Sequence, residues 1–205
     1  MKYKRVIITH HGGPEVLQVI EDELPEPQAG EVRVKILATS AAFTDVLVRE
    51  GLYPGIPPVP FSPGYDIVGS IDKLGTGVST LKLRQRVVAL TIVGGYAEYL
   101  CLPAAELVPI PVNVDPIEAV CLVLSYVTAY QLLHRVAKVK PGERILIHGA
   151  GGAVGMALLQ LGKLKNLEMY GTASQGKHEF VSHLGATPID YQNEDFVERI
   201  RQLTG

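Results

Sequence analysis

Residues 144–173 most constrain what this chain can fold into. They run as an apolar segment, RILIH (144–148), a glycine-rich turn, GAGGAVG (149–155), an amphipathic stretch, MALLQLGKLK (156–165), and a second apolar segment, LEMYGTA (167–173). Strand, glycine turn, helix and strand in that order are the parts of a dinucleotide-binding βαβ unit. A pyrophosphate seated on a helix N-terminus, and a helix packed closely over a strand, both need space that side chains would fill. The spacing Ala150-x-Gly152-x-x-Gly155 meets that need best, since a frame opened at Gly149 puts its third glycine one residue late. A glycine cluster by itself makes any tight turn; the flanking strand, helix and strand turn it into an expectation of cofactor binding.

The rest of the chain changes character near residue 115. Before it, short strand-like runs (5–9, 16–21, 31–38, 67–74, 86–90 and 97–102) alternate with Gly and Pro turns such as PEPQAGE and YPGIPPVPFSPG. Many short strands at close spacing predict a closed or partly closed β-barrel. After Asp115, PIEAVCLVLSYVTAYQLLHRVA opens on proline, carries apolar residues at helical spacing and ends on basic residues, so it reads as a long buried helix. From Lys140 strands and helices alternate to Gly205, which predicts a parallel sheet with right-handed crossovers. The expected division is a β-rich unit at 1–115 and a dinucleotide-binding unit at 116–205.

Which dinucleotide is bound should be legible where the second strand ends. An NAD site places an acid there, about twenty residues after the first glycine, to bond the ribose hydroxyls. This chain instead has Ser174, Gln175, Gly176, Lys177 and His178. A hydroxyl, an amide and a cation suit a 2′-phosphate, which favours NADP(H). The plainer alternative is that Lys177 and His178 open the next helix as solvated residues, although a Lys at a helix start opposes the dipole.

Composition excludes several other classes. A formal net charge of -2 over 205 residues leaves no basic stripe for a nucleic acid backbone. Only Cys101 and Cys121 are present, with no CxxC and no His/Cys cluster, so neither a disulfide framework nor a zinc site is expected and the cytoplasm is the default compartment. The apolar run 145–162 contains His148 and several glycines, and strand, turn and helix account for it better than a membrane span.

Several blocks in order resemble the medium-chain dehydrogenase/reductase superfamily, in its zinc-free quinone oxidoreductase (zeta-crystallin-like) branch. They are HHGGPEVLQV, AAFTDVLVREGLYP, FSPGYDIVGSIDKLGTGV, GGYAEYL, SYVTAY and KPGERILIHGAGGAVG. The resemblance implies a GroES-like N-terminal domain followed by a Rossmann domain, with NADPH delivering hydride to a quinone or a related carbonyl or enone. It puts Tyr126 and Thr128 near the nicotinamide, and Ala150, Gly152, Ala153, Val154 and Gly155 near the pyrophosphate. Ser174, Lys177 and Tyr191 would surround the 2′-phosphate. From the helix alone Tyr126 and Thr128 read as interior packing, and Tyr191 reads equally well as a strand-end aromatic.

Zinc-dependent members carry Cys and His-Glu ligands in two of these blocks, where this chain has Ala42-Phe43-Thr44-Asp45 and Gly64-Tyr65-Asp66, so no metal is expected. Ala42 and Phe43 also stand where the branch usually has Asn and Pro, which replaces a polar substrate contact by an apolar wall. Asp45, Arg49 and Tyr53 fit the pattern as substrate-side residues. Their structural alternative is an Asp45 to Arg49 pair at i, i+4 on a short helix.

A doubly wound domain needs about six strands, and about three are encoded here. The expectation is therefore a C-terminally truncated form, weak or inactive alone, whose parent is a homodimer with its interface in the missing part. The alternative is a non-catalytic NADPH-binding or crystallin-like structural fragment.

Overall fold

The structure is a computed structural model that describes residues 1–205 throughout. It divides into two compact units, Met1–Leu124 and Ser125–Gly205. The first is β-rich. Strands β1 (Lys2–Ile7) and β2 (Gln18–Glu23) form an antiparallel pair, and β3 (Glu31–Ala38), β4 (Asp66–Leu74), β5 (Arg86–Leu90), β6 (Tyr99–Pro103) and β7 (Val108–Pro109) form an antiparallel sheet in the order β6-β3-β4-β5-β7. Isolated bridges Arg5 to Ala97 and Ile8 to Phe61 tie the pair to the segments that lead into β6 and β4.

Alternation builds its core. Val32 and Val34 of β3 and Val87 and Ala89 of β5 point inward at every second position and meet Ile67 and Ile71 of β4, all fully or nearly fully buried. Gly69 lets β3 approach, since a Cβ there would sit 2.2 Å from Val34 Cγ1. The short helix α1 (Phe43–Arg49) follows β3 and seals a second cluster through Val48, which packs with Ile8, Val16 and Phe61.

The helix expected after Asp115 forms as α2 (Pro116–Gln131), capped by the Asp115 carboxylate on the N–H groups of Ile117 and Glu118 and continued by a π-turn at Leu132–Val136. It is not the buried helix that its sequence suggested. Ala119, Val120, Val123, Ala129 and Leu133 are buried, whereas Ile117, Leu122, Val127, Tyr130, Leu132 and Val136 are exposed. Apolar residues surround the whole helix, and packing covers only part of them. By length and composition alone Pro116–Val136 would also pass as a membrane span.

In the second unit β8 (Arg144–Ile147), α3 (Ala153–Leu164), β9 (Glu168–Ala173), α4 (His178–His183), β10 (Ala186–Asp190) and α5 (Phe196–Thr204) alternate. The strands form a parallel sheet in the order β10-β9-β8, with Ile147 opposite Gly171 and Ile189 opposite Thr172. This is an incomplete Rossmann arrangement behind a β-rich, GroES-like unit, as the sequence predicts. Helix α3 lies close to its sheet because Gly155 and Gly162, seven residues apart, share the inward face with Leu159. A Cβ on Gly162 would sit 2.5 Å from Met169 Sδ. The strand limits differ from the sequence reading mainly at the start, where β1 begins at Lys2 and Val16 falls in a 3-10 turn before β2.

Ile67 is fully buried at the centre of the sheet. Ile67→Ala is expected to destabilise the first unit by about 2–5 kcal/mol, through lost transfer energy plus the cavity left behind. Denaturant unfolding followed in that unit checks it, and a loss under about 1 kcal/mol would mean the site collapses around the smaller side chain.

Candidate functional site

The glycine turn is assembled from both strands that flank it. Ala150 is fully buried and donates its N–H to the Thr172 carbonyl at 2.9 Å, and Gly152 donates to the Gly149 carbonyl at 2.9 Å. Gly149 holds a φ of 66°, the left-handed region that glycine adopts freely. Its N–H donates to the Thr172 hydroxyl oxygen at 3.2 Å, and the same oxygen lies 3.2 Å from His148 Nδ1. Thr172 is 4% exposed, so this hydroxyl is a buried tie between β9 and the turn. Its role is not legible in the sequence, where the only sign is a threonine near the end of β9.

Helix α3 starts at Ala153, with Gly152 as N-cap and no side chain capping it. The first-turn N–H groups of Ala153, Val154 and Gly155 have no intrahelical acceptor and carry the positive end of the helix dipole. Gly155 cannot be replaced here without movement, since a Cβ would stand 2.3 Å from the Gly149 carbonyl oxygen and 2.7 Å from Ala150 Cα. Turn, strand and helix thus leave an open cradle at an uncapped helix end, whose donors suit an anionic diphosphate.

At the end of β9, Ser174 precedes a 3-10 turn, Gln175–Lys177, and accepts the Lys177 N–H on its carbonyl at 2.8 Å. Lys177 is exposed and closes that turn ahead of α4. Its stem lies over Gly151, so Lys177 and the glycine turn come together. Tyr191 follows β10 and is 53% exposed. Tyr126 donates its hydroxyl to Gln160 Oε1 on α3 at 2.5 Å. Thr128, two residues on, points about 200° away around the helix, so the two do not share a face.

In the first unit, Asp45, Tyr53, Tyr65 and Tyr96 gather near α1. Tyr53 and Tyr65 join hydroxyls at 3.0 Å with their rings edge to face, and burial, with the Tyr53 hydroxyl, pushes the Tyr65 phenol up to about 12. Burial, with the Asp45 charge behind it, also pushes the Tyr96 phenol above its ordinary range. A cavity of about 240 Å³ is lined by Leu17, Ala42, Asp45, Val46, Arg49 and Tyr96.

The i, i+4 pair between Asp45 and Arg49 does not form. Asp45 instead accepts the Ala42 N–H at 2.9 Å, closing the start of α1, and Arg49 pairs with Glu50 at 3.3 Å. Capping an orphan N–H one turn back gives the carboxylate a partner that needs no long side chain to be ordered. Asp66, 1% exposed, accepts the N–H and hydroxyl of Ser40 at 3.0 and 2.8 Å. No group of three or more His, Cys, Asp or Glu side chains is gathered to hold a metal ion.

Burial holds the Asp45 carboxyl above its ordinary range; the Asp66 charge adds to this, and the bond from Ala42 N–H opposes it. A carboxyl raised in the folded state contributes stability below the ordinary Asp range and loses it as pH rises through the raised value. Asp45→Asn keeps an acceptor for the cap and removes the charge. It is expected to raise Tm at about pH 8 and to have no such effect at about pH 3; thermal unfolding at both pH values checks it, and a lower Tm at the higher pH would contradict it.

Comparison with known proteins fits this geometry. Residues 28–112 match the alcohol dehydrogenase GroES-like domain. The chain is 37% identical over 182 residues to the synaptic vesicle membrane protein VAT-1 homolog of Rattus norvegicus, covering 88% of this chain and 45% of that protein. It is 34% identical over 206 residues to the quinone oxidoreductase of Rattus norvegicus, covering 98% of this chain and 63% of that protein. The crystal structure of Escherichia coli quinone oxidoreductase complexed with NADPH superposes with a TM-score of 0.94 at 33% identity, over 98% of this chain and 63% of that one. The chain thus spans about half the length of the VAT-1 relative and under two thirds of the quinone oxidoreductases. With a GroES-like unit leading into a parallel-sheet unit, the chain is similar over nearly its whole length to quinone oxidoreductases of the medium-chain dehydrogenase/reductase superfamily.

Proposed function

We propose that this chain supplies the substrate-side domain and the pyrophosphate and adenosine contacts of an NADPH-dependent oxidoreductase acting on a quinone or a related electrophilic carbonyl or enone. The observation that carries this reading is the uncapped cradle at Gly149–Gly155, closed to any side chain at Gly155, with the unpaired cation of Lys177 beside it and no acid at the end of β9. The NADPH complex of the similar Escherichia coli enzyme supports the choice of nucleotide.

The residues divide the work. Ala153, Val154 and Gly155 offer first-turn N–H groups to the pyrophosphate, where the helix dipole favours negative charge. Ala150 and Gly152 spend their own N–H groups within the turn and so act by shaping it. Lys177 and Ser174 face the 2′-phosphate with a cation and a hydroxyl, and Tyr191 offers an exposed ring for the adenine side. Thr128 is available to bond the carboxamide, and Gln160 holds Tyr126 in one orientation. When bound, the cofactor supplies the hydride.

On the substrate side, the Tyr53–Tyr65 pair has two hydroxyl protons and uses one in its own bond. The other is free to donate to a carbonyl oxygen. Asp45 closes the start of α1, and the neighbouring cavity, lined by Ala42, Val46 and Tyr96 among others, is largely apolar. This arrangement orients and polarises a neutral electrophile without a metal ion or a separate acid or base.

Titration of NADPH by its fluorescence, followed by addition of a quinone, tests the reading. Tighter binding of NADPH than NADH and oxidation on adding quinone are expected. Lys177→Ala should lower NADPH affinity about tenfold, the worth of one charge-assisted contact, and leave NADH unchanged. Equal affinity for both nucleotides would overturn the cofactor assignment, and binding without oxidation would favour a non-catalytic nucleotide-binding protein.

A further inference from the structure

Four glycines shape the turn, and three are explained by backbone geometry. Gly149 has a positive φ, Gly152 is the helix N-cap and faces the Gly149 carbonyl oxygen at 3.3 Å, and Gly155 has no room for a Cβ against the strand. Gly151 differs. Its φ is not in the left-handed region and no backbone atom crowds it. The space its side chain would fill is taken by the stem of Lys177, whose Cβ, Cγ and Cδ lie 3.1, 3.1 and 3.4 Å from an ideal Cβ.

We infer that Gly151 is a specificity-determining residue, a seat that holds the Lys177 side chain over the glycine turn and so sets the preference for a 2′-phosphorylated dinucleotide. This rests on the cofactor reading above and goes beyond it by naming what positions the cation. A lysine on the surface has a flexible four-carbon stem and loses that freedom when it binds an anion. Packing the first three methylenes against a bare backbone removes part of the freedom in advance, which is how preorganisation raises affinity. The ammonium group takes no internal partner, neither an ion pair nor a hydrogen bond, so it is free for a ligand. The lysine is also tied at its backbone, whose N–H donates to the Ser174 carbonyl. Stem and main chain are thus both anchored, and only the end of the side chain is left to adjust.

The effect of adding bulk at 151 is graded. An alanine Cβ at 3.1 Å requires the stem to shift by a few tenths of an ångström, and valine displaces it outright. Ordering one rotamer-rich side chain corresponds to a change in affinity of about two- to tenfold. Gly151→Ala is therefore expected to weaken NADPH binding at the low end of that range. Gly151→Val should approach the loss seen in Lys177→Ala, and NADH affinity should fall much less than NADPH affinity in the Gly151 variants and stay constant in Lys177→Ala. In a Lys177→Ala background, Gly151→Val should have no further effect on NADPH, since the stem it displaces is already gone.

Fluorescence titration of both nucleotides against wild type, the two Gly151 variants, Lys177→Ala and the double variant supplies the test. Equal losses for NADPH and NADH in Gly151→Val would show a distorted turn and overturn the inference. An unchanged NADPH preference in that variant would overturn it as well, with the cofactor reading intact. Wild-type protein that binds both nucleotides equally would remove the cofactor reading, and this inference with it.

Discussion

The second unit depends on how closely α3 approaches β8 and β9. Gly155 puts backbone against backbone, with the Gly149 carbonyl where its side chain would be, and Gly162 repeats the approach against Met169 two turns later. Between them Leu159 fills the gap with a fully buried side chain. This contact aims the uncapped start of α3 across the end of the sheet, where a diphosphate can meet it. It also leaves the turn little freedom, because Ala150 and Gly149 are already bonded to Thr172 on the neighbouring strand. A site made of main-chain donors is only as accurate as the packing beneath it.

The first unit positions its polar groups by a different route. Asp45 and Asp66 are buried carboxylates without an ion-pair partner, and each is held by hydrogen bonds, Asp45 to the Ala42 N–H at the start of α1 and Asp66, the first residue of β4, to Ser40 just past β3. Buried polar groups of this kind cost free energy unless they are bonded. One oxygen on each remains without a partner, which explains why burial dominates the raised carboxyl of Asp45. The same burial raises the phenols of Tyr65 and Tyr96, and of these Tyr96 lines the largely apolar cavity beside α1.

Patterned segments were legible from the residues, and their partners were not. Strand β3 and β5 fall on the predicted residues because alternation of apolar and polar positions marks a half-buried strand directly. Helix α2 is legible in the residues but its partial exposure is not, since a helix apolar all round does not say which side will be covered. The pairing of Asp45 with Arg49 was a reasonable inference from spacing, yet the nearer N–H of Ala42 took the carboxylate. Nothing in the sequence distinguishes Thr172, and only the register of β9 against β8 brings its hydroxyl to the Gly149 N–H.

By itself the sequence determined the two kinds of unit, the order of their elements, the frame Ala150-x-Gly152-x-x-Gly155 and the lack of an acid after β9. Each of these is a local property, written in periodicity, spacing and residue type within one stretch of chain. Only the tertiary structure decided that Gly151 carries the stem of Lys177, 26 residues away, and that the Tyr53 and Tyr65 hydroxyls meet across a turn. It also decided which carboxylates go without an ion pair. Such contacts arise from strand register and from the depth to which a helix settles on a sheet, and residues distant in sequence meet only once both are set.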